Sequence, residues 1–476
     1  MQATLGEIER RTHTPFIIQG KANVLLGDKN RTSAINDNMQ SFLITTGDDY
    51  NAIRKELWKT TDSRFKSAIN EMTNKLNRLK QSPLPEEDVD VPDMIELPAI
   101  EHIANTGHTH AIDTTWCKTA TKELSAVLCD YPELYNTSCN ATWRIADSYH
   151  VTSEGQVVRL PNEWGELNVI ANIKAVDGTT KNGIWTYAVR SKDAYPSLDE
   201  LKAEVRAFAD NLRTQGSAEA VKEYYVGPLM IEEEAVSETF MRSVITPFAS
   251  ASRSTTAGSG TNSMLVGKRL IDTKLNIYQL SDIPSYHGTN LVGNYTIDIN
   301  GVKPASRMPL VENGLLKNLM CGRKPAVGAL TTTGNDALGM YLNDFVYPGI
   351  FSVTSEKTVP MSKMKSRLLS EAKKAGLDHA YIVKAPKHRW RYLVRVDVAT
   401  GKEEIVRARN ILQPSKSDIM HVSAVSKEEF VSNQIDNGNR LFSGIVPKAI
   451  IIESVEYKIE RPVREQKDEL VHPALR

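Results

Sequence analysis

The chain has 476 residues, and its 58 basic side chains match its 58 acidic ones, for a formal net charge of zero. That balance gives no electrostatic reason to expect nucleic acid or a membrane surface as partner. At 41% apolar and 24% charged residues the composition is globular, and the length suits roughly two or three domains, each with its own core.

No run reaches the ~18 consecutive apolar residues of a spanning helix. The opening MQATLGEIERRTHTPF lacks the apolar stretch of a secretory leader, so the expected location is cytoplasmic. Weak alternation around Phe16-Ile17-Ile18 and Val24-Leu25-Leu26 suggests half-buried strands. From Tyr50 the period changes: Ile53, Leu57, Phe65, Ile69, Met72 and Leu76 recur at helical spacing, which predicts a helix over 49–80. It must stop at Ser82-Pro83-Leu84-Pro85, where proline removes backbone donors. The acidic, proline-rich stretch that follows reads as a surface linker.

A second helix is expected over 113–129, with Thr114 or Thr115 near its N-cap. Strands are expected at 141–148, 156–160, 167–176 and 184–189, with Ser153-Glu154-Gly155 turning between the first two. Residues 198–212 read as a helix capped by Ser197, with Asp199 and Glu200 in its first turn. Cys117, Cys129, Cys139 and Cys321 form no CxxC pair, which excludes a zinc ribbon. Cys129 and Cys139 are either bonded across a short hairpin or free thiols in or near a core.

A second domain is expected from Gly216, giving 1–215 and 216–476. It opens with a short strand at 224–230 broken by Gly227-Pro228, then a helix over 232–249. The Ser/Thr/Gly-rich stretch 250–263 has no means of packing itself. Short strands are expected at 275–280, 295–298, 308–312 and 315–320. Asn300-Gly301 and Asn313-Gly314 signal hairpins, because Asn and Gly accept positive φ at both central turn positions. A helix at 362–375 and strands at 381–384, 392–398, 404–409 and 449–459 complete an α+β chain: mixed α/β first, then a mostly antiparallel β-rich half with a few helices.

The order of these motifs resembles the TldD/PmbA family. Glu56-Leu57-Trp58 with Thr61-Asp62, then Asp130-Tyr131-Pro132-Glu133, then Ser153-Glu154-Gly155 with Val157-Val158-Arg159, are similar to its N-terminal domain. Tyr225-Val226-Gly227-Pro228-Leu229, Val266-Gly267-Lys268-Arg269, Asn300-Gly301-Val302 and Val311-Glu312-Asn313-Gly314-Leu315 are similar to its C-terminal core. The likeness runs from about residue 5 to about residue 460. The family's first strand and helix have no counterpart here, so the N-terminal domain reads as cut short, and an export signal would be lost with them.

Catalytic members of the family cleave peptides with zinc held by HExxxH on the first helix of the C-terminal domain. The matching helix here reads Glu233-Glu234-Ala235-Val236-Ser237-Glu238. Glu234 falls at the place of the general base and is the one candidate catalytic residue. Both histidine places are glutamate, so no zinc or other metal ligand is expected, and no cofactor, although zinc serves the catalytic relatives. Carboxylates at Glu233, Glu234 and Glu238 would suit a hard cation such as Mg, Mn or Ca. The plainer expectation is a solvated acidic first turn complementing the helix dipole, with Glu232, Glu233 and Glu238 facing solvent or a wide cleft.

His108-Thr109-His110, with His102 nearby, places two imidazoles on one side of an extended segment, while His287 and His388 read as isolated surface or packing residues. Lys384, Lys387, His388, Arg389, Arg391 and Arg395, interleaved with Trp390 and Tyr392, read as a charged hairpin; such patterns also occur at single-stranded nucleic-acid sites.

The resemblance therefore implies a family scaffold that does not cut. It would be the non-zinc member of a homo- or heterodimer with a family chain, holding extended peptides by sheet-edge addition. The alternatives are a metallopeptidase with a carboxylate site at Glu233, Glu234 and Glu238, and a nucleic-acid-associated modulator, a role the family carries in name. Nucleic acid and membrane are not expected partners.

Overall fold

Asp49 starts the first long helix, Tyr50–Gln81, by accepting the Asn51 and Ala52 N–H groups on its carboxylate. The helix ends at Ser82, just before Pro83. It lies on a two-stranded hairpin, Ile18–Ala22 with Gln40–Ile44, burying Thr60, Arg64 and Ala68. Arg64 is held by both oxygens of Glu71 and by Asn23, and Lys75 by Asp93 and the Thr32 carbonyl. Residues 24–26 form no strand; Gly27, at φ +103, turns the chain there instead. The computed structural model describes residues 1–10, 18–33, 40–44, 49–83, 90–104, 113–250, 265–325, 329–338, 344–408, 411, 413–436 and 440–457. The expected linker centre, the Ser/Thr/Gly-rich stretch, and His108 with His110 lie outside these.

Two long strands, Leu134–Val151 and Gln156–Lys174, form a hairpin that the sequence breaks into shorter pieces. Gly155, at φ +93, makes the turn. Pro161 explains the apparent break: on the far side of its strand, Ile100–Ile103 pairs residues 156–159 and Thr180–Val189 pairs residues 165–174. The proline falls in the gap between these neighbours, where a missing N–H is best tolerated. Helices Thr114–Ala126 and Leu198–Ser217 pack on the sheet over Leu124, Leu167, Val169, Trp185, Phe208 and Leu212. The cap of the first is Asp113 rather than a threonine, accepting the Trp116 N–H at 2.8 Å. The second carries the expected capping box of Ser197 and Glu200. Cys139 sits in its strand opposite Ala3, Cys129 lies on the short turn after the Thr114–Ala126 helix, and all four cysteines are free.

The second half builds two six-stranded sheets around one apolar cluster. The first orders Glu403–Val406, Trp390–Asp397, His379–Lys387, Tyr225–Glu233, Ala449–Tyr457 and Val422–Val425. The second orders Leu315–Leu316, Arg307–Glu312, Leu275–Leu280, Ile350–Ser355, Arg440–Pro447 and Glu429–Asp436. Tyr225–Glu233 runs unbroken through Gly227-Pro228. Asn313-Gly314, at φ +49 and +73, joins two strands as expected, whereas Asn300-Gly301 turns the chain without strands on either side, and 295–298 is not a strand. Among the described residues no helix is long and apolar enough to cross a membrane.

The two halves meet through the tip of the His379–Lys387/Trp390–Asp397 hairpin. Trp390 packs into the N-terminal core, edge-on to Phe208 at 5.6 Å, and donates its indole N–H to Asn211 Oδ1 at 3.0 Å. Thr186 Oγ1 donates to the His388 carbonyl at 3.0 Å. Replacing Trp390 with alanine is expected to remove about 3–5 kcal/mol of stability, read as a lowered urea midpoint; a shift under about 1 kcal/mol would contradict this account of the junction.

Candidate functional site

The strand Tyr225–Glu233 passes directly into the helix Glu234–Phe240 through a sharp bend. Glu233 makes that bend at φ +57 and ψ −122, a conformation that side-chain-bearing residues seldom adopt. Its N–H is fixed by the Lys448 carbonyl at 2.7 Å, and its carboxylate turns toward Lys448 Nζ at 3.6 Å. Gly444 lets the helix sit directly on the Arg440–Pro447 strand: a Cβ there would come 2.6 Å from Ser237 Oγ and 2.8 Å from Phe351.

The bend drives Glu234 and Glu238 inward, where each is only 3% exposed. Glu234 Oε1 accepts from Ser432 Oγ at 2.5 Å and from Gln434 Nε2, both on the Glu429–Asp436 strand. Glu238 Oε1 meets His388 Nδ1 at 3.0 Å, and Arg391 sits against its other oxygen. His388 Nε2 in turn accepts from Arg389 Nε at 3.3 Å. These partners assign the imidazole as a neutral ring with its proton on Nδ1.

Burial pushes Glu234 above its ordinary value, opposed by the Ser432 hydrogen bond, the His388 field and the Gln434 hydrogen bond. Burial holds His388 below its ordinary value, against the pull of the Glu234 carboxylate, and the Arg389 charge lowers it further. Glu166 of the long N-terminal hairpin is also raised by burial, and the Asn168 hydrogen bond and Arg389 oppose that rise.

The expectation of a solvated acidic turn is therefore corrected. Glu238 and Glu232 are buried, Glu232 at 9% exposure, and Glu233 is half-buried. The helix itself begins at Glu234, because the strand continues through Glu233. Burial is possible because the hairpin brings cations to the carboxylates: Arg391 to Glu238, and Lys384 beside Glu232. His388 is likewise a member of the site and not an isolated residue. His287 stacks on Tyr286 at 4.2 Å, and His102 lies half-buried on the Ile100–Ile103 strand. Sequence reasoning missed His388, Arg391, Ser432 and Gln434. The available signal was the need of several helix carboxylates for cations, beside a basic run that could supply them.

One donor atom each of Glu234, Glu238 and His388 lies within 4.8 Å of the others, the one such trio found among the described residues. Glu233 does not join it. Catalytic zinc sites take about three protein ligands with an open position, and imidazole or thiolate supplies most of them. Here there is one imidazole, and both its nitrogens are engaged. Both oxygens of Glu238 are engaged as well, and Glu234 accepts two donors on one oxygen. The donor set does not fit zinc unless Arg391 and Arg389 first withdraw.

Two outcomes test these electrostatics. Burial pushes Glu232 from 4.5 up to about 7, with Lys384 opposing. The folded state then binds the extra proton between these values, so stability falls as pH rises through that window. Glu232→Gln is expected to flatten the fall, which amounts to roughly 3 kcal/mol, in urea titrations across the range; an unchanged slope would refute the assignment. Arg391→Met leaves Glu238 without its cation and is expected to cost about 3–5 kcal/mol. Adding Glu238→Gln to that variant should restore much of the loss.

Residues 226–372 match the model of the PmbA/TldA metallopeptidase C-terminal domain. No curated protein sequence matches the chain. Among solved structures, a protein described as a DNA gyrase modulator from Thermotoga maritima is 12% identical at a TM-score of 0.57, over 96% of this chain and 92% of that one. TldE from Thermococcus kodakarensis is 14% identical at 0.52, over 92% and 94%. A protein from Bacteroides thetaiotaomicron, also described as a DNA gyrase modulator, is 12% identical at 0.52, over 88% and 86%. At these identities the structures speak for the fold alone; the matched model covers the strand, the bend and the glutamate-bearing helix, so it is residues 226–372 that match the PmbA/TldA family.

Proposed function

We propose that this chain is a TldD/PmbA-family protein that works without zinc, as a non-cutting subunit or scaffold that holds extended peptides for processing. One observation carries the reading. The carboxylates and imidazole near the family's metal position are engaged with one another and with Arg391, Arg389, Ser432 and Gln434. A base at Glu234 with no activated water beside it has little to work on. In this reading the chain divides near residue 215, with the N-terminal sheet forming one wall of the cleft and the helix Glu234–Phe240 the other.

Peptide capture draws support from the long N-terminal hairpin. Among the described residues, its Leu134–Val151 strand has a main-chain neighbour on its outer side only at Cys139, Asn140 and Ala141, the last bonded by Met1. An edge of this kind adds extended peptides through main-chain hydrogen bonds. Thr142 pairs with Glu166, which faces Arg389, so a bound strand would run close to the site.

The alternative of a metallopeptidase has the closeness of Glu234, Glu238 and His388 in its favour, with His388 taking the place expected of Glu233. The nucleic-acid reading gains no such support, because the hairpin cations face carboxylates: Lys384 with Glu403, Lys387 with Glu204, Arg395 with Glu404.

The test incubates the purified full chain with a fluorescein-labelled unstructured peptide, with and without chelator, beside elemental analysis. Binding by anisotropy that is indifferent to chelator, without cleavage, is the expected result. Chelator-sensitive cleavage abolished by Glu234→Gln would overturn the scaffold and establish the metal site.

A further inference from the structure

The long N-terminal hairpin sets an unpaired cation beside its open edge. Its pairing is regular beyond the bulge at Tyr135–Ser138, with Ala141 opposite Leu167, Thr142 opposite Glu166 and Arg144 opposite Trp164. Ala141, Leu167 and Val169 belong to the core beneath the two helices. Side chains alternate along a strand, so Asn140, Thr142 and Arg144 lie on the opposite face. Trp164, on that same face, is buried against Ala188 and against Ile435 of the Glu429–Asp436 strand, so the face is turned to the second half of the chain.

Arg144 is half-buried, and among the described residues it has no hydrogen-bond or ion-pair partner. Burial lowers it from its ordinary value, and no carboxylate opposes that. Its cross-strand neighbour Trp164, 5% exposed, buries an indole N–H that meets no acceptor. Arg190, just past the Thr180–Val189 strand, spends its donors on the Val292 and Asn294 carbonyls at 2.6 and 3.3 Å. Burial pushes it down to about 10, again with no carboxylate in opposition. Glu166, on the same face, accepts from Asn168 at 2.7 Å and feels Arg389 and His388 instead. The row through Arg144 therefore offers donors without an acceptor. A guanidinium withdrawn from water without an anion is costly, and a ligand that brings one removes that cost.

We propose that Arg144 binds a carboxylate of the extended peptide that adds to this edge, so that the chain selects peptides with an acidic group at one position. The proposal rests on the reading of the chain as a peptide scaffold and names what the scaffold selects.

The edge geometry fixes that position. Ala141 turns its N–H and its carbonyl outward, to Met1, at 2.9 and 2.8 Å. Every second residue of a regular strand does the same, so Trp143 and Ile145 offer main-chain donors and acceptors to an added strand. In an antiparallel pair the residue facing Arg144 then takes the non-hydrogen-bonded place, where Cα atoms approach to about 4.5 Å and side chains are closest. Opposite charges directly across two strands are the favourable pair, and a guanidinium can meet both oxygens of a carboxylate. The place opposite Thr142 backs onto Glu166 instead, so the preference belongs to one residue of the bound strand. The carboxylate comes either from an Asp or Glu side chain within the strand or from the free end of a peptide that stops there.

The test sets unlabelled peptides in competition with the fluorescein-labelled one on the full chain. An unstructured peptide with one central Glu, amidated at its C-terminus, is compared with its Gln and Lys versions and with the Gln version carrying a free C-terminus. A carboxylate-bearing peptide is expected to bind at least about fivefold more tightly than the amidated Gln peptide, with the Lys peptide weakest. Preference for the Glu peptide assigns the side chain as the source, and preference for the free terminus assigns the chain end; either supports the proposal. Arg144→Gln should abolish the ratio, Arg144→Lys should keep part of it, and Arg144→Glu should turn it toward the Lys peptide, with circular dichroism checking each fold. Equal binding of the whole panel by the wild type would overturn the proposal, as would a ratio that survives Arg144→Gln, and both results leave the scaffold standing. Chelator-sensitive cleavage that favours the Glu peptide, with the preference lost in Arg144→Gln, would remove the non-cutting reading and keep Arg144 in its role. Failure to bind any peptide would overturn both.

Discussion

Glu238 is the constraint on which the rest of the site depends. A carboxylate at 3% exposure is tolerable only with a compensating charge and hydrogen bonding. His388 supplies the hydrogen bond and Arg391 the charge, and both come from a single hairpin more than a hundred residues away in the chain. Glu234, one helical turn earlier, is met by neutral donors, Ser432 and Gln434, and burial raises it. The helix thus carries two buried carboxylates in different states of compensation.

Much of the frame was legible in the sequence because it rests on local signals. The Tyr50–Gln81 helix follows from its apolar period and the prolines after it, the Leu198–Ser217 helix from Ser197 and Glu200, and the hairpin at Asn313-Gly314 from positive φ. The two proline misreadings share a cause: tertiary context overrode a local breaker. Pro161 and Pro228 sit inside long strands, at positions where neighbouring strands stop or the backbone accommodates them, so each strand read as two pieces or as broken. Glu233 continues its strand because Lys448 pairs with its backbone, a contact that no window of sequence contains.

The site was less legible than the frame for the same reason carried further. Glu233, Glu234 and Glu238 are visible as a run, and helical periodicity alone places an acidic first turn in water. What reverses that placement is a set of cations and donors brought in by sheet order: His379–Lys387 pairs parallel with Tyr225–Glu233, so the hairpin tip must arrive over the start of the helix. Composition supplied both charges, and only topology shows that they meet.

That hairpin tip also ties the site to the junction between the two halves. Strand alternation points Trp390 and Arg391 to opposite sides. Trp390 enters the N-terminal core beside Phe208, while Arg391 reaches Glu238. Arg389, at φ +65, makes the turn between them and His388 while donating to the His388 ring. Any motion that withdrew Arg391 to admit a cation would therefore have to move Trp390 against a packed core or twist the strand between them. The cost of opening the site is set partly by the N-terminal core, which couples the chemistry available at Glu234 and Glu238 to how firmly the two sheets are joined.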